Sequence, residues 1–337
     1  MPEASTSGNQ QISTTDALSQ HPVFIAGCGR SGTTYLKTLV DAHPDVFIPT
    51  ESLFLVDYLA HSACLPRALC RWLFFSEPQL RAWYRGPSFS ASSPVSLVTG
   101  VHQSAAADSG ARLWGQKTPR FIRHMKLFDE IFPGARWILV HRDPRAVVSS
   151  MLRSRRHTYS VRRACRRWNR DNAALLAGIQ GREDRVLVVA FETLVGEPAA
   201  TLERVWHFLH LPPIPFAQVL ERAEVRPLVG SRFAVNTVRD GVRSDPMKAE
   251  TWRHHLAAAQ RAYIDQVCAE SMGRLGYQPD TRAEEPPSLR GDHVQALRDI
   301  GILWEYLHHW PAYLLHTGLR RALLSLACLL RRAGRIL

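Results

Sequence analysis

The chain alternates between short apolar runs and longer stretches whose apolar residues recur at helical spacing. The short runs lie at residues 23–26, 46–48, 137–140 and 186–190. Each is too short for a helix, and the first three end at glycine, proline or polar residues, so each predicts a buried strand. Because helical patterns separate the strands, we expect an α/β fold in which helices cover both faces of a parallel sheet.

The segments between these runs place apolar residues on one face and predict helices. These helical patterns occur at residues 35–40, 53–84, 95–108, 121–131, 144–152, 160–177, 198–211 and 252–275. Residues 115–119, Gly-Gln-Lys-Thr-Pro, show neither the apolar run of a strand nor the apolar spacing of a helix. We interpret them as a polar loop before the helix at 121–131.

The first strand leads into a glycine-rich turn and then directly into a helix. Small residues fill this turn and the start of the helix: Gly27, Gly29, Ser31, Gly32, Thr33 and Thr34. Glycines let backbone amides approach an oxyanion, and the first helical turn adds unpaired N–H groups with a partial positive charge. The stretch therefore predicts a phosphate-binding cradle. The alternative is a turn whose glycines serve only packing.

This cradle differs from a nucleotide-triphosphate loop at one position. Gly27 and Gly32 have the spacing of G-x-x-x-x-G-K-[ST], and Thr34 occupies its last position, but Thr33 stands where lysine is needed. The side chain that reaches β- and γ-phosphates is therefore missing, while Arg30 places a cation inside the loop. We expect a P-loop-like three-layer sandwich whose loop binds a different phosphate donor.

A second anion-binding element follows the apolar run at 137–140. Arg142 leaves the end of this strand, and Ser150 lies two turns along the next helix, on the face that looks back toward the strand end. Asp143 is expected to cap this helix, and His141 to pack beside the strand. Parallel strands end at one edge of their sheet, so two neighbouring phosphate sites indicate a nucleotide phosphorylated at both its 5′ and 3′ positions.

Composition adds a strong positive charge to this picture. The 337 residues carry a net charge of +12, almost all from arginine, since the lysines are Lys37, Lys117, Lys126 and Lys248. The charge favours an anionic nucleotide, phospholipid surface or acidic glycan, while the lack of a nucleic-acid motif argues against nucleic acid. The six cysteines lack metal-ligand spacing, so we expect no metal and a reducing, cytoplasmic compartment.

The two phosphate motifs together resemble those of the sulfotransferases that use 3′-phosphoadenosine 5′-phosphosulfate (PAPS). GRSGTT at 29–34 is similar to their 5′-phosphosulfate loop, and WILVHRDPRAVVSS at 137–150 to their 3′-phosphate motif. The resemblance covers residues 21–279 and is strongest to the tyrosylprotein and bacterial branches. It implies PAPS as co-substrate, adenosine 3′,5′-bisphosphate (PAP) as product, a hydroxyl acceptor and no metal.

The resemblance also implies roles for individual residues. The cofactor-binding set would comprise Gly29, Arg30, Ser31, Gly32, Thr33, Thr34, Arg142, Ser150, Arg239 and Arg243. Arg30 would reach the sulfuryl or bridging oxygen, Glu51 would be the catalytic base, and Lys117 would be the catalytic lysine. The alternatives are a helix-terminal carboxylate for Glu51 and a solvated loop cation for Lys117. His102 is an alternative base.

Two segments depart from the pattern of the family. Phe191, in FETL, stands where related sequences often carry tyrosine in a YEDL-like motif, so a hydroxyl contact to the nucleotide is absent there. The later RxGxxGxW-like segment appears only loosely as RDGVRSDPMKAETW. Which of Arg239, Arg243 and Lys248 contacts the nucleotide is left open by this pattern.

The two ends of the chain differ from its middle. We expect a disordered leader at 1–20, the sulfotransferase domain at 21–279, a linker at 280–291 and an amphipathic helical tail at 292–337, the C-terminal helical extension of the fold. Within 319–337, the apolar run at 322–330 is too short to span a bilayer. The segment at 319–337 suits an anionic membrane surface, the chain's own domain or a second subunit in a homodimer.

Two other functions are compatible with parts of the sequence. A P-loop kinase or NTPase would use the same strand–loop–helix unit, but Thr33 replaces its lysine, and no acidic residue closes the strand at 137–140. A basic protein that binds a membrane surface would explain the charge and not the two phosphate motifs. We therefore expect a sulfotransferase, cytoplasmic or peripheral on a membrane.

Overall fold

A five-stranded parallel sheet organises the structure. The computed structural model describes residues 21–61, 66–88, 91–154, 158, 160–225, 250–280, 289, 291–295, 297–299 and 322. The strands are β1 (Val23–Gly27), β2 (Val46–Phe47), β3 (Leu113–Lys117), β4 (Arg136–His141) and β5 (Val186–Ala190). Their order is β2-β3-β1-β4-β5, and every neighbouring pair is parallel. The four predicted strands are confirmed, and β1 lies at the centre of the sheet.

The strand β3 is the element that the hydrophobic pattern missed. Residues 115–117 belong to it, although their sequence predicts a polar loop, and β3 pairs with both β1 and β2. Gly115 lies opposite Val23, where an added Cβ would come within 2.5 Å of the Val23 carbonyl oxygen. All five residues of β3 are buried, but only Leu113 and Trp114 have large apolar side chains, so the hydrophobic pattern alone did not identify the strand.

Most helices lie within the predicted segments, with shifted ends, whereas the helices Phe191–Gly196 and Phe216–Val225 were not predicted. They are α1 (Thr33–Asp41), α2 (Phe54–His61), α3 (Arg67–Phe75), α4 (Pro78–Arg81), α5 (Pro94–Asp108), α6 (Met125–Ile131), α7 (Pro144–Arg153), α8 (Val161–Ile179), α9 (Phe191–Gly196), α10 (Pro198–Leu209), α11 (Phe216–Val225), α12 (Trp252–His255), α13 (Ala258–Val267) and α14 (Ala269–Arg274), with a 3₁₀ helix at Pro119–Arg123. The single helix expected at 252–275 is wrong, because the chain breaks there into α12, α13 and α14.

The two faces of the sheet bury separate cores, as the three-layer prediction requires. Along β1, Phe24 and Ala26 face one core, while Val23 and Ile25 face the other. Phe24 packs edge-on against an aromatic group that includes Phe128, with ring centroids 4.9 Å apart. A third apolar cluster joins α7, α8 and the helices after residue 250 near Cys28. The chain therefore folds its carboxyl-terminal helices over the edge where the strands end.

A short piece near the C-terminus also contacts the body of the fold. Asp292 accepts hydrogen bonds from Ser160 Oγ at 2.9 Å and from the Val161 amide at 2.8 Å, at the start of α8. Asp299 accepts a hydrogen bond from Thr158 Oγ1 at 2.8 Å. The leader at 1–20 and nearly all of the tail beyond 299 lie outside the described residues. Within the described ranges, no helix combines the length and apolarity needed to cross a membrane.

Candidate active site

The glycine-rich loop after β1 is shaped by two glycines. At Gly27 an added Cβ would lie 2.2 Å from the Val140 carbonyl oxygen, so this glycine lets β1 approach β4. Gly32 has φ +90°, and an added Cβ would lie 2.2 Å from Cδ2 of Phe191. Arg30 also adopts a left-handed backbone, with φ 75°. A strained conformation at a non-glycine residue is typical of functional loops.

The same loop offers hydrogen-bond donors to an anion. Gly32 caps α1 without a side-chain hydrogen bond, and no acidic residue lies in the first turn of that helix. The Ser31 hydroxyl is buried and has no hydrogen-bond partner among the described residues. Unpaired amides at a helix N-terminus together with an orphaned buried hydroxyl fit a phosphate group. The packing role of Gly27 and this anion site therefore coexist in one loop.

The second predicted anion site meets the loop directly. Arg30 Nε donates a hydrogen bond to Ser150 Oγ at 3.0 Å, and Arg142 Nη1 donates to the Arg30 carbonyl oxygen at 3.3 Å. The guanidinium of Arg142 also lies over the ring of Phe191, with its Cζ 4.1 Å from the ring centroid. The ends of β1 and β4 thus form one continuous cationic surface, as expected from the parallel topology.

Cations crowd this surface. Burial lowers the pKa of Arg142 to about 10. Burial also lowers the pKa of Arg30, and the nearby charges of Arg153 and Arg167 lower it further. Within the described ranges, Arg30 has no carboxylate at salt-bridge distance. An anion bound here would relieve the mutual repulsion of these arginines.

Arg153 and Arg167 were not among the residues that the sequence predicted for the site. Arg153 follows Ser150 by three residues on α7, so helical spacing provided a signal for it. Arg167 comes from the middle of α8, where a Cβ on Gly29 would lie 2.6 Å from its Nη2 atom. No local pattern distinguishes Arg167 from its arginine neighbours, because its position depends on how α8 packs behind the loop.

Glu51 and Lys117 form an ion pair beside the loop. Lys117 Nζ lies 2.5 Å from Glu51 Oε1 and 3.0 Å from Thr34 Oγ1. Lys117 is the last residue of β3 and is only 4% exposed, so the interpretation as a solvated loop cation is wrong. A carboxylate, an ammonium group and the first helical turn of the loop therefore meet at the ends of β1 and β3.

His102 lies in the core and not on this surface. It is fully buried, with Nδ1 2.7 Å from the Val98 carbonyl oxygen and Nε2 2.7 Å from Gln116 Nε2. Burial lowers its pKa to about 4, so the ring is neutral, and it packs between Trp83 and Trp114. Both ring nitrogens are occupied, so His102 offers no base to a substrate.

The residues flanking Arg142 have the structural roles expected of them. Asp143 caps α7 by accepting a hydrogen bond from the Arg145 amide at 2.8 Å. His141 ends β4 and is buried, which lowers its pKa to about 4. Arg239, Arg243 and Lys248 lie outside the described residues, so their assignment stays a prediction.

Comparison with known proteins finds relatives over the part of the chain that carries the sheet. The model of the sulfotransferase family matches residues 22–215, more than half of the chain. Protein-tyrosine sulfotransferase 1 of Danio rerio is 28% identical over 196 residues, which cover 56% of this chain and 53% of that protein. Protein-tyrosine sulfotransferase of Drosophila melanogaster is 28% identical over 202 residues, which cover 56% of this chain and 38% of that protein. The chain thus spans about half or less of the length of these curated relatives.

A solved structure shares the fold over most of the chain. The sulfotransferase domain from the Synechococcus PCC 7002 olefin synthase superposes with a TM-score of 0.55 and 21% sequence identity. The superposition covers 77% of this chain and 96% of that domain. The likeness supports the parallel sheet with its flanking helices.

Proposed function

Because the chain belongs to the sulfotransferase family, we propose that it transfers a sulfuryl group from PAPS to the hydroxyl group of an acceptor. One observation carries the proposal: the anion-binding loop of β1 and the Arg142–Ser150 element of β4 meet through Arg30. Arg30 Nε donates a hydrogen bond to Ser150 Oγ at 3.0 Å, and the Arg30 carbonyl oxygen accepts one from Arg142 Nη1 at 3.3 Å. Two joined phosphate sites suit a nucleotide with phosphates at its 5′ and 3′ positions.

The donor would lie along this surface. The loop amides and the hydroxyls of Ser31 and Thr33 would hold the 5′-phosphosulfate at the N-terminus of α1. Arg142 and Ser150 would hold the 3′-phosphate. Phe191 would support this subsite by stacking under Arg142, which is a role that does not need the missing tyrosine hydroxyl.

Catalysis would require positioning and charge stabilisation more than covalent chemistry. In an in-line displacement, the acceptor oxygen forms a bond to sulfur while the bond from sulfur to the bridging phosphate oxygen breaks. Glu51 would take the acceptor proton, and its contact with Lys117 places that base beside the loop. Lys117, next to Thr34, and Arg30 would stabilise the negative charge that grows on the departing phosphate.

The acceptor is proposed as a class and not as one compound. The two relatives compared above are named protein-tyrosine sulfotransferases, so a tyrosyl peptide is the first acceptor to test. A glycan, a glycolipid and a small hydroxylated metabolite are the other acceptors in the proposal. A cytoplasmic location, contact of residues 319–337 with an anionic membrane and homodimer formation are predictions from the sequence.

Calorimetry with PAP tests the donor half of the proposal. We expect saturable binding of PAP, no competition by equimolar ATP, and a loss of affinity in Arg142→Met. Arg204→Met is the matched control, because Arg204 is exposed on α10. A wild-type protein that fails to bind PAP would refute the proposal.

Mass spectrometry tests the acceptor half. Incubation with PAPS and a panel of tyrosyl peptides, glycans, glycolipids and phenolic metabolites should add the mass of one sulfuryl group to one class of acceptor. A protein that binds PAP and modifies no member of a broad panel would contradict the proposed transfer. The magnesium-dependent hydrolysis of ATP would instead support an NTPase.

A further inference from the structure

Tyr277 reaches the end of β4 from the segment that follows α14. Its hydroxyl donates a hydrogen bond to Glu192 Oε2 at 2.9 Å, and it lies 2.8 Å from His141 Nδ1. The rings of Tyr277 and His141 meet edge-to-face, with centroids 5.5 Å apart. Tyr277, more than a hundred positions away along the chain, therefore contacts the end of β4, from which Arg142 follows.

The directions of these hydrogen bonds follow from the groups involved. Burial lowers the pKa of His141 to about 4, so its ring is neutral near pH 7. Because the Tyr277 hydroxyl gives its proton to Glu192, its oxygen accepts the Nδ1 proton of His141. Burial and the neighbouring Glu192 carboxylate raise the pKa of Tyr277, so the hydroxyl keeps its proton.

Glu192 connects these hydrogen bonds to Asp143, the residue that follows Arg142 in the chain. Its Oε1 atom accepts a hydrogen bond from the Asp143 amide at 3.0 Å. Burial raises the pKa of Glu192, while the Asp143 amide, the Tyr277 hydroxyl and the charge of Arg142 favour its ionised form. The carboxylate thus holds the backbone on the far side of Arg142 through a charge-assisted bond.

Together these contacts hold the residues that precede and follow Arg142 in the chain. The side chain of His141 precedes it and the amide of Asp143 follows it, and both are tied to the Tyr277–Glu192 pair. The ring that stacks on Arg142 belongs to Phe191, the residue immediately before Glu192. The network therefore fixes the backbone from which Arg142 extends and the surface on which its guanidinium rests.

We propose that Tyr277 and Glu192 are positioning residues for Arg142, and that through it they set the affinity of the site for the 3′-phosphate of the nucleotide. This inference rests on the proposed function. It gives the segment after α14 a part in donor recognition, although its residues touch no phosphate. Tyr277 lies beyond residues 22–215, the part of the chain that the family model matches.

The test compares two nucleotides that differ in the 3′-phosphate. Calorimetry would measure the affinity of PAP and of adenosine 5′-monophosphate for the wild-type protein, Tyr277→Phe and Tyr263→Phe. Tyr263 of α13 is the matched control, because its ring contacts Arg162 of α8, away from this network. We expect Tyr277→Phe to weaken PAP binding about tenfold, as the loss of a hydrogen bond to a charged group predicts, and to leave the monophosphate nearly unchanged.

A double-mutant cycle tests whether Tyr277→Phe lowers PAP affinity by changing the position of Arg142. In an Arg142→Met background, Tyr277→Phe should cause no further loss of PAP affinity, because the group that it positions is gone. Glu192→Gln should repeat the selective loss, and it replaces Tyr277→Phe if that variant does not fold. A merely structural role would weaken both nucleotides equally.

The outcomes separate this inference from the proposed function. If the wild-type protein prefers PAP over the monophosphate and both variants keep that preference, the inference is wrong and the proposed function stands. Additive losses in the double-mutant cycle would also overturn it. If the wild-type protein shows no preference for PAP, the proposed function is wrong and the inference fails with it.

Discussion

The replacement Gly32→Ala tests how tightly the loop is fitted to the second phosphate site. Gly32 has φ +90°, and its added methyl group would lie 2.2 Å from Cδ2 and 2.6 Å from Cε2 of Phe191. Phe191 is 5% exposed and packs within the core on the α1 face of the sheet, so the ring has little room to withdraw. The substitution therefore combines a backbone penalty with a steric one.

The two penalties have different sizes and different consequences. A left-handed backbone at alanine costs about 1–2 kcal/mol. Overpacking a buried ring adds about 1–3 kcal/mol. If the ring moves away from Arg142, whose Cζ lies 4.1 Å from its centroid, the lost cation–π contact corresponds to roughly a 2- to 30-fold drop in PAP affinity.

Gly110→Ala separates these contributions. Gly110 also has a positive φ, +77°, but an added Cβ there would meet no atom within 4 Å. In urea unfolding, the free energy of unfolding should fall in Gly110→Ala by the backbone penalty alone. In Gly32→Ala it should fall distinctly further, because the steric penalty is added. Calorimetry should show weaker PAP binding for Gly32→Ala alone. Equal stability and equal PAP affinity in the two variants would refute the reasoning.

Three further predictions follow from the site and the fold. Glu51→Gln should bind PAP like the wild-type protein but lose turnover by about 10²-fold or more in a PAPS transfer assay. His102 is neutral in the fold, with its pKa lowered from 6.5 to about 4. As the pH falls, His102 is therefore protonated in the unfolded chain before it is protonated in the fold. The free energy of unfolding should fall by about 3 kcal/mol as the pH drops from 6.5 to 4. Asp292→Asn should cost about 1–3 kcal/mol in urea unfolding, because the buried start of α8 loses its carboxylate partner, while Asp108→Asn at an exposed helix end changes little.

Each of these predictions has an outcome that contradicts it. Normal turnover in Glu51→Gln would remove Glu51 as the base. An acid stability profile unchanged by His102→Gln would show that this histidine does not contribute to the pH dependence. Equal stabilities of Asp292→Asn and Asp108→Asn would show that the segment around residue 292 is not held by its carboxylate.

Much of the fold is encoded in short stretches of the chain. The apolar runs at β1, β4 and β5, the glycine-rich turn and the Asp143–Pro144 helix start each specify their conformation through neighbouring residues. The second anion site was also predictable, because Arg142 and Ser150 lie on one strand–helix unit. The parallel topology then requires the two strand ends to lie side by side.

Other features depend on residues far apart along the chain. The buried strand β3 lacks a continuous apolar run and is defined by its pairing with β1 and β2, and its position buries Lys117 against Glu51, 66 positions away. Tyr277 meets Glu192 and His141 across separations of 85 and 136 residues. Periodicity and motif spacing report only on residues within a few turns or one strand. Contacts between distant segments arise when the sheet and its helices pack together, and that packing places the base, the lysine and the support of Arg142 around one loop.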